Sequence, residues 1–222
     1  MCKDIREDIL KESINYSCLS LISTKINVGV IGGGKVGYIK AKNFLDKNCS
    51  VEVLAPDFIN DFEKLENVNL IKNSYYKDFI IDKHIVIIAT NDKALNERIK
   101  KDCDNSYKIY IYAEDYLEGI AITPVQRNLR NISFAINTNY GNPKGSLILA
   151  EKVMDVLREY DEFIGVSSLI RKSAKDIAEN KSDIINFVCS EDFKYIYEKK
   201  KDKLVLEMFF GKEIINKIYS NL

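Results

Sequence analysis

The stretch K-I-N-V-G-V-I-G-G-G-K-V-G, residues 25–37, decides the fold of this chain. Residues 25–31 have the pattern of a buried strand, which leads directly into the motif Gly32-x-Gly34-x-x-Gly37. Such a motif is meaningful when it follows a strand and opens a helix, and the residues after it have helical periodicity. The stretch therefore predicts the first strand, turn and helix of a dinucleotide-binding sheet.

Each glycine of the motif has a separate physical task in dinucleotide binding. The first permits the tight turn, the second lets the backbone approach a pyrophosphate, and the third lets helix and strand pack closely. The phosphates would then lie on unpaired amides at the helix N-terminus, where the helix dipole favours negative charge. The predicted cofactor contacts in this loop are Gly32, Gly34, Lys35, Val36 and Gly37. The alternative interpretation is a tight strand–helix turn that holds no ligand.

The first half of the chain alternates predicted strands with predicted helices. The run I-V-I-I-A at residues 85–89 contains no polar residue, as expected for a strand covered on both faces. Strands are predicted at 25–31, 50–55, 68–71, 85–89 and 108–112, and helices at 36–47, 59–66 and 92–102. This alternation indicates an α/β fold with a Rossmann-type, doubly wound parallel sheet.

The second half differs, because two short predicted strands between residues 120 and 136 precede an almost wholly helical sequence. Helices are predicted at 146–160, 163–179, 181–187, 190–199 and 202–220, and a short amphipathic helix at 3–14. The predicted organisation has three parts. They are a nucleotide-binding domain with an N-terminal extension at 1–113, a small α+β dimerisation segment at 114–145, and a helical C-terminal domain at 146–222.

The composition argues against several functional classes. The 222 residues include 33 basic and 33 acidic side chains, and this zero net charge is unlike that of a general nucleic-acid binder. A single histidine argues against a histidine-rich metal centre and a Ser-His-Asp triad, and we interpret this His84 as structural. No run reaches the ~18 apolar residues that a membrane span needs. The N-terminus is too charged for a signal peptide.

The five cysteines are dispersed along the chain and include no Cys-x-x-Cys pair. This pattern is typical of reduced thiols in a cytoplasmic protein rather than of a disulfide framework or a zinc site. No cluster of His, Cys, Asp and Glu has the spacing of a fixed metal site, so no bound metal is predicted.

The end of the second predicted strand departs from the usual dinucleotide fingerprint. An Asp or Glu normally ends this strand and binds the ribose hydroxyls. Here the strand ends with Leu54, Ala55 and Pro56, and Asp57 follows the proline. No arginine at the strand end favours a 2′-phosphate. The sequence therefore predicts NAD rather than NADP, with Pro56 and Asp57 among the cofactor contacts.

Three motifs together resemble the precorrin-2 dehydrogenases, which also form the N-terminal part of bifunctional siroheme synthases. They are I-G-G-G-K-V-G at 31–37, V-E-V-L-A-P at 51–56, and I-I-A-T-N-D at 87–92 with Asn96 nearby. Pro124 and the turn A-I-N-T-N-Y-G-N-P at 135–143 are similar to later motifs of the same family, and the resemblance is collinear.

The resemblance implies that NAD⁺ accepts a hydride from precorrin-2 to give sirohydrochlorin, on the route to siroheme. It adds Thr90, Asn91 and Asp92 to the expected cofactor contacts. The family's catalytic aspartate matches Asp115, and the adjacent Glu114 is a competing candidate. Oxidation of a reduced tetrapyrrole needs a base that takes a ring proton, and a carboxylate at a strand end suits this role. The alternative for Asp115 is a capping acid.

Precorrin-2 carries carboxylates, so its site should offer arginine or lysine. The expected substrate contacts are Arg127, Thr138 and Lys144, and Arg130 is a further candidate; each charged residue has the alternative of a solvated surface position. The resemblance also implies a homodimer, and Fe²⁺ as a substrate in the members that make siroheme. In that step Asp115 would accept pyrrole protons.

Two other functions remain open at the level of the sequence. One is a non-enzymatic nucleotide-sensing module of the potassium-channel type, which also begins with a glycine-loop unit. The other is an inactive paralogue of the dehydrogenase that keeps the fold.

Overall fold

The computed structural model describes residues 14–175 and 180–220. These residues form two compact units, one of which spans Tyr16–Thr123 while the other contains the described residues from Pro124 onward, together with residues 14–15. Most of the predicted helix at 3–14 lies outside the described residues. The predicted three-part division of the chain stays a prediction.

The first unit is built on a five-stranded parallel sheet with the strand order β3-β2-β1-β4-β5. The strands are β1 (Asn27–Ile31), β2 (Ser50–Ala55), β3 (Val68–Lys72), β4 (Ile85–Ile88) and β5 (Ile109–Tyr112). The helices are α1 (Lys35–Leu45) and α2 (Lys93–Asn105), with 3₁₀ turns at Ser23–Lys25, Asn60–Lys64, Lys77–Ile80 and Tyr116–Glu118. The predicted Rossmann-type α/β fold is confirmed.

Both faces of this sheet are covered, which explains why β4 is an unbroken apolar run. On one face Val28 and Val30 of β1 pack with Ala41 and Phe44 of α1. The other face buries Ile88 of β4 together with residues of α2 and of the Lys77–Ile80 turn. Since neither face meets water, alternation between polar and apolar residues has no role in β4.

The prediction of a helix at 59–66 is wrong in type, because the segment forms a 3₁₀ helix at Asn60–Lys64. Phe62 is the buried side chain of this turn, and a single apolar anchor does not provide the stripe that holds a longer α-helix on a core. The turn nevertheless closes the connection between β2 and β3.

The second unit combines a small antiparallel sheet with five helices among its described residues. The two strands are β6 (Val125–Asn128) and β7 (Ser133–Ile136), paired with Val125 opposite Ile136. The helices are α3 (Pro143–Ala174), α4 (Lys181–Val188), α5 (Glu191–Glu198), α6 (Asp202–Phe210) and α7 (Lys212–Tyr219). None of the helices within the described ranges has the length and apolar character needed to cross a membrane.

Two predicted helices, at 146–160 and 163–179, form the single 32-residue helix α3 over the described residues, and residues 176–179 lie outside the description. The predicted boundary between the two helices falls at Asp161 and Glu162. In the structure the Asp161 carboxylate accepts a hydrogen bond from the backbone N–H of Asn131 at 2.8 Å, so its polarity serves the β6–β7 turn. The helix also begins earlier than predicted, because Asn142 caps it and Pro143 suits its first position.

The single helix predicted at 202–220 is divided at Gly211 into α6 and α7. Gly211 has a φ of +89°, a conformation that glycine adopts without steric cost. The break lets α7 turn back and bury Ile215 and Ile218 in the same cluster as Leu206 of α6.

The helical cluster around Phe193 generates a prediction about stability. The Phe193 side chain is fully buried between Phe163 and Phe187. Phe193→Ala should therefore lower the free energy of unfolding of this unit by about 3–5 kcal/mol, measured by urea denaturation followed by circular dichroism. Tyr195→Ala, on the exposed side of the same helix, should cost less than about 1 kcal/mol. Equal losses in the two variants would contradict this description of the core.

Candidate functional site

The glycine loop is crowded by backbone on the side that faces the sheet. Gly32 has a φ of +131°, and a Cβ atom there would lie 2.2 Å from the carbonyl oxygen of Ala89, which follows β4. A Cβ atom on Gly37 would lie 2.0 Å from the carbonyl oxygen of Gly32. These two positions therefore require glycine, the first for turn geometry and contact with β4 and the second for helix packing.

The segment after β2 lies directly on this loop. A Cβ atom on Gly33 would lie 1.9 Å from the carbonyl oxygen of Asp57, and the Ile59 N–H donates to the Gly33 carbonyl at 3.0 Å. Phe58 packs edge to face on Phe62, with ring centroids 5.3 Å apart. Residues 57–59 are thus held in a fixed position beside the glycine loop, although β2 itself ends at Ala55.

Gly34 differs from its neighbours, because a Cβ atom there would meet nothing within 4 Å. Gly34 is the N-cap of α1, and the first hydrogen bond of the helix runs from the Tyr38 N–H to the Gly34 carbonyl at 3.0 Å. The amides of Lys35, Val36 and Gly37 precede that bond and belong to the unsatisfied donors of a helix start. Open space in front of such amides fits the pyrophosphate of a dinucleotide.

Asp57 forms an ion pair with Lys72, the last residue of β3, with 2.8 Å between Oδ1 and Nζ. The hydrogen bond and the positive charge of Lys72 lower the pKa of the Asp57 carboxyl, which is therefore ionised at neutral pH. Ala55 and Lys72 are partners in the parallel register, so both strands deliver their ends to one edge of the sheet. Sequence reasoning named Asp57 and missed Lys72.

The segment Thr90–Asp92 follows β4 at the same edge and is fixed by a buried amide. The Asn96 side chain is only 1% exposed; its Nδ2 donates to the Thr90 carbonyl at 3.0 Å, and its Oδ1 accepts from the Thr90 hydroxyl. The Asp92 carboxylate caps α2 by accepting from the Leu95 N–H at 3.1 Å. A Cβ atom on Gly32 would lie 3.2 Å from the Thr90 nitrogen, so this segment adjoins the glycine loop.

Two carboxylates follow β5, one strand further along the same edge. Asp115 is exposed, and its Oδ1 accepts from the Leu117 N–H at 3.0 Å, which caps the short turn Tyr116–Glu118. The capping interpretation of Asp115 is therefore correct for one of its oxygens. Glu114 instead pairs with Lys93 at 3.5 Å. The two candidates for the base thus have different partners.

The residues predicted to bind substrate belong to the second unit. Arg127 forms hydrogen bonds from Nε and Nη2 to Glu151 Oε1 at 3.2 and 3.0 Å. The Thr138 hydroxyl accepts from the Asn142 N–H at 2.7 Å and so closes the turn before α3. Lys144 and Arg130 are exposed. In the structure Arg127 and Thr138 therefore have defined structural partners.

Two other predictions concern residues outside this edge. The Nδ1 of His84 accepts a hydrogen bond from the Asn27 N–H at 3.0 Å, at the opposite end of the sheet, so His84 is structural as predicted. The cysteines of the described ranges are free thiols, and burial raises the pKa of the Cys103 thiol to about 12. A thiol of that kind is not a nucleophile at neutral pH. The cytoplasmic location stays a prediction.

Comparisons with known proteins agree with a nucleotide-binding role for the glycine loop. The family model described as "Putative NAD(P)-binding" matches residues 19–124. A precorrin-2 dehydrogenase from Priestia megaterium is 26% identical over 140 residues, which cover 61% of this chain and 67% of that protein. The chain is thus similar to a precorrin-2 dehydrogenase over more than half of its length.

A longer relative and a solved structure are similar to this chain as well. A siroheme synthase from Buchnera aphidicola is 26% identical over 147 residues, which cover 65% of this chain and 31% of that longer protein. The solved structure titled "SirC, precorrin-2 dehydrogenase" superimposes with a TM-score of 0.68, covering 87% of this chain and 100% of that one at 18% identity. That likeness shows that the fold is shared.

Gly33 and Gly34 in the glycine loop lead to a contrasting prediction. Gly33→Ala should lower the free energy of unfolding by more than about 2 kcal/mol, because the new methyl group would overlap the Asp57 carbonyl. Gly34→Ala should change it by less than about 1 kcal/mol, since the position is open and its backbone is extended, while alanine is a poorer N-cap than glycine. Thermal denaturation of both variants without nucleotide measures the difference. Similar losses in both would contradict the open space at Gly34.

Proposed function

We propose that this chain oxidises precorrin-2 to sirohydrochlorin, with NAD⁺ as the hydride acceptor. The observation that carries the proposal is the convergence of three segments on one sheet edge, in a chain that is similar to a precorrin-2 dehydrogenase. The glycine loop, Asp57 and Thr90–Asp92 meet there, and two carboxylates follow the neighbouring strand β5. Ligands of parallel α/β sheets bind at this edge.

The nucleotide would be held by the parts of the chain that the geometry leaves accessible. The amides of Lys35, Val36 and Gly37 would bind the pyrophosphate, and Gly34 would let it approach the backbone. Asp57, anchored beside Gly33, would accept hydrogen bonds from the ribose hydroxyls. Bound NAD⁺ supplies the two-electron acceptor. Gly34→Ala, which keeps the fold, should weaken nucleotide binding because its methyl group occupies the approach to the loop.

A dehydrogenation that transfers a hydride also releases a proton, and we assign Asp115 as the group that takes it. The cap of the turn uses Oδ1 of Asp115, and the carboxylate has a second oxygen for a proton. Glu114 is less suited, because its Oε1 already pairs with the Lys93 ammonium at 3.5 Å. Because Asp115 is exposed, a large substrate can reach its carboxylate.

The carboxylates of the substrate would be bound by Arg127 and Lys144, with Thr138 as a hydrogen-bond partner. Arg127 is held by Glu151 and by the Gln126 carbonyl, so a substrate carboxylate would compete with Glu151 for the guanidinium. Lys144 lies in the first turn of α3 and is exposed. Thr138 accepts one hydrogen bond and retains its own proton as a donor.

Iron insertion into sirohydrochlorin is an extension of this proposal, in which Fe²⁺ is a substrate. Asp115 would then accept the pyrrole protons that the metal displaces. Over residues 14–175 and 180–220, no three His, Cys, Asp or Glu side chains are grouped as metal ligands. Formation of siroheme when Fe²⁺ is added to the dehydrogenase assay would support this second step.

The role of Asp115 can be separated from its role as a cap. Asp115→Asn keeps an oxygen that accepts from the Leu117 N–H but removes the base, so turnover of precorrin-2 with NAD⁺ should fall at least about 100-fold. Glu114→Gln should retain turnover within about threefold. NADH formation at 340 nm measures both, and calorimetry should show unchanged NAD⁺ binding.

Several outcomes would overturn this assignment. Loss of turnover in Glu114→Gln alone would move the base to Glu114. Nucleotide binding without any turnover of verified precorrin-2 by the unmodified chain would instead support a sensing module or an inactive paralogue.

We further propose that the chain forms a homodimer through α3 and the β6–β7 sheet. A two-stranded sheet is only marginally stable by itself. The helix α3, which follows this sheet in the sequence, exposes the apolar side chains of Ile148 and Val156. Sedimentation at micromolar concentration should give a dimer, and Val156→Lys should shift it towards monomer. Leu204→Lys, on an exposed position of α6, is the matched control. A monomeric unmodified chain would refute the proposal.

A further inference from the structure

The ion pair between Asp57 and Lys72 lies where a dinucleotide-binding sheet meets the adenosine ribose. Asp57 follows β2 and Lys72 ends β3, and these are the two outermost strands on one side of the sheet. Both side chains are strongly exposed, at 87% for Asp57 and 72% for Lys72. They are therefore accessible to a ligand at this edge.

The backbone holds both members of this pair in place although their side chains are exposed. The backbone of Asp57 is held by the close approach of its carbonyl to Gly33. The hydrogen bond from the Ile59 N–H to the Gly33 carbonyl holds the same segment. Lys72 is fixed by its register opposite Ala55, and the Asn73 N–H extends the ladder by donating to the Ala55 carbonyl at 3.0 Å. The positions of Asp57 and Lys72 are therefore fixed by backbone contacts of the sheet.

The two charges would act in opposite directions on the group at the ribose 2′ position. A free 2′-hydroxyl donates a hydrogen bond to a carboxylate, so Asp57 favours NAD. A 2′-phosphate carries a charge of about −1.5 to −2, which Asp57 repels and Lys72 attracts. The side chain that would compensate for Asp57 is thus a lysine at the end of the adjacent strand β3, and not an arginine at the end of β2.

We propose that the Asp57–Lys72 pair sets the choice between NAD and NADP, with Lys72 limiting the discrimination that Asp57 imposes against a 2′-phosphate. This proposal rests on the proposed function only in that the dinucleotide binds in the glycine loop. The selectivity is then a property of two strand ends, and neither side chain alone determines it.

The test is calorimetric titration of the full chain with NAD⁺ and with NADP⁺, expressed as the ratio of the two dissociation constants, NADP⁺ over NAD⁺. Lys72→Met should raise this ratio about three- to tenfold, because the carboxylate then meets the phosphate without compensation. Asp57→Asn should lower the ratio by a similar factor. Both effects should shrink as salt is raised, since the groups are exposed.

Lys64→Met is the matched control. Lys64 is 71% exposed and pairs with Asp61 on the neighbouring 3₁₀ turn, so the variant removes the same charge from a similar environment. It should leave the ratio of dissociation constants within about twofold of that of the unmodified chain. Thermal denaturation checks that all three variants remain folded.

Each other result has a separate meaning. If Lys72→Met binds both nucleotides with an unchanged ratio, or if Lys64→Met shifts the ratio equally, the selectivity proposal is wrong while the proposed function stands. If the unmodified chain binds neither nucleotide, the proposed function and the selectivity proposal both fail.

Discussion

The close approach of backbone to backbone at Gly32 and Gly33 is the constraint on which the candidate site depends. At Gly32 the loop touches the end of β4, and at Gly33 it touches the segment after β2, with no room for a methyl group at either position. Three connections that are distant in sequence are thereby brought to one edge of the sheet. The glycines act on the fold as much as on any ligand, because without them the segments that carry Asp57 and Thr90 could not lie beside α1.

The sequence was sufficient where a feature depends on residues close together in the chain. The unbroken run in β4 and the strand–turn–helix at Gly32–Gly37 could be read directly, because burial on both faces and a tight turn each leave a local pattern. The break predicted inside α3 was wrong, and the Asp161 carboxylate at that point of the helix instead accepts a hydrogen bond from Asn131, which lies thirty residues earlier. Lys72 was not predicted as a site residue for a related reason. Lys72 ends β3 and Asp57 follows β2, so the two residues become neighbours only when these strands pair in the folded chain.

The candidate site shows how one side chain can satisfy a structural and a chemical requirement together. Asp92 and Asp115 each cap a helical turn at the end of a strand, and Asn96 holds Thr90 by both atoms of its amide. Groups held in this way lose little conformational entropy when a ligand arrives, which is the condition for a preorganised site. A carboxylate can therefore cap a turn and also act as a functional acid, because the capping hydrogen bond fixes its orientation.

The helix α3 has a mechanical consequence for the second unit. At about 1.5 Å per residue its 32 residues form a rod of about 48 Å, and one end packs against β6 while the other packs against α4 and α7. A rod of this length keeps the distance between its ends nearly constant. The helix therefore holds the Thr138–Asn142 turn and the buried cluster around Ile170 at a fixed separation.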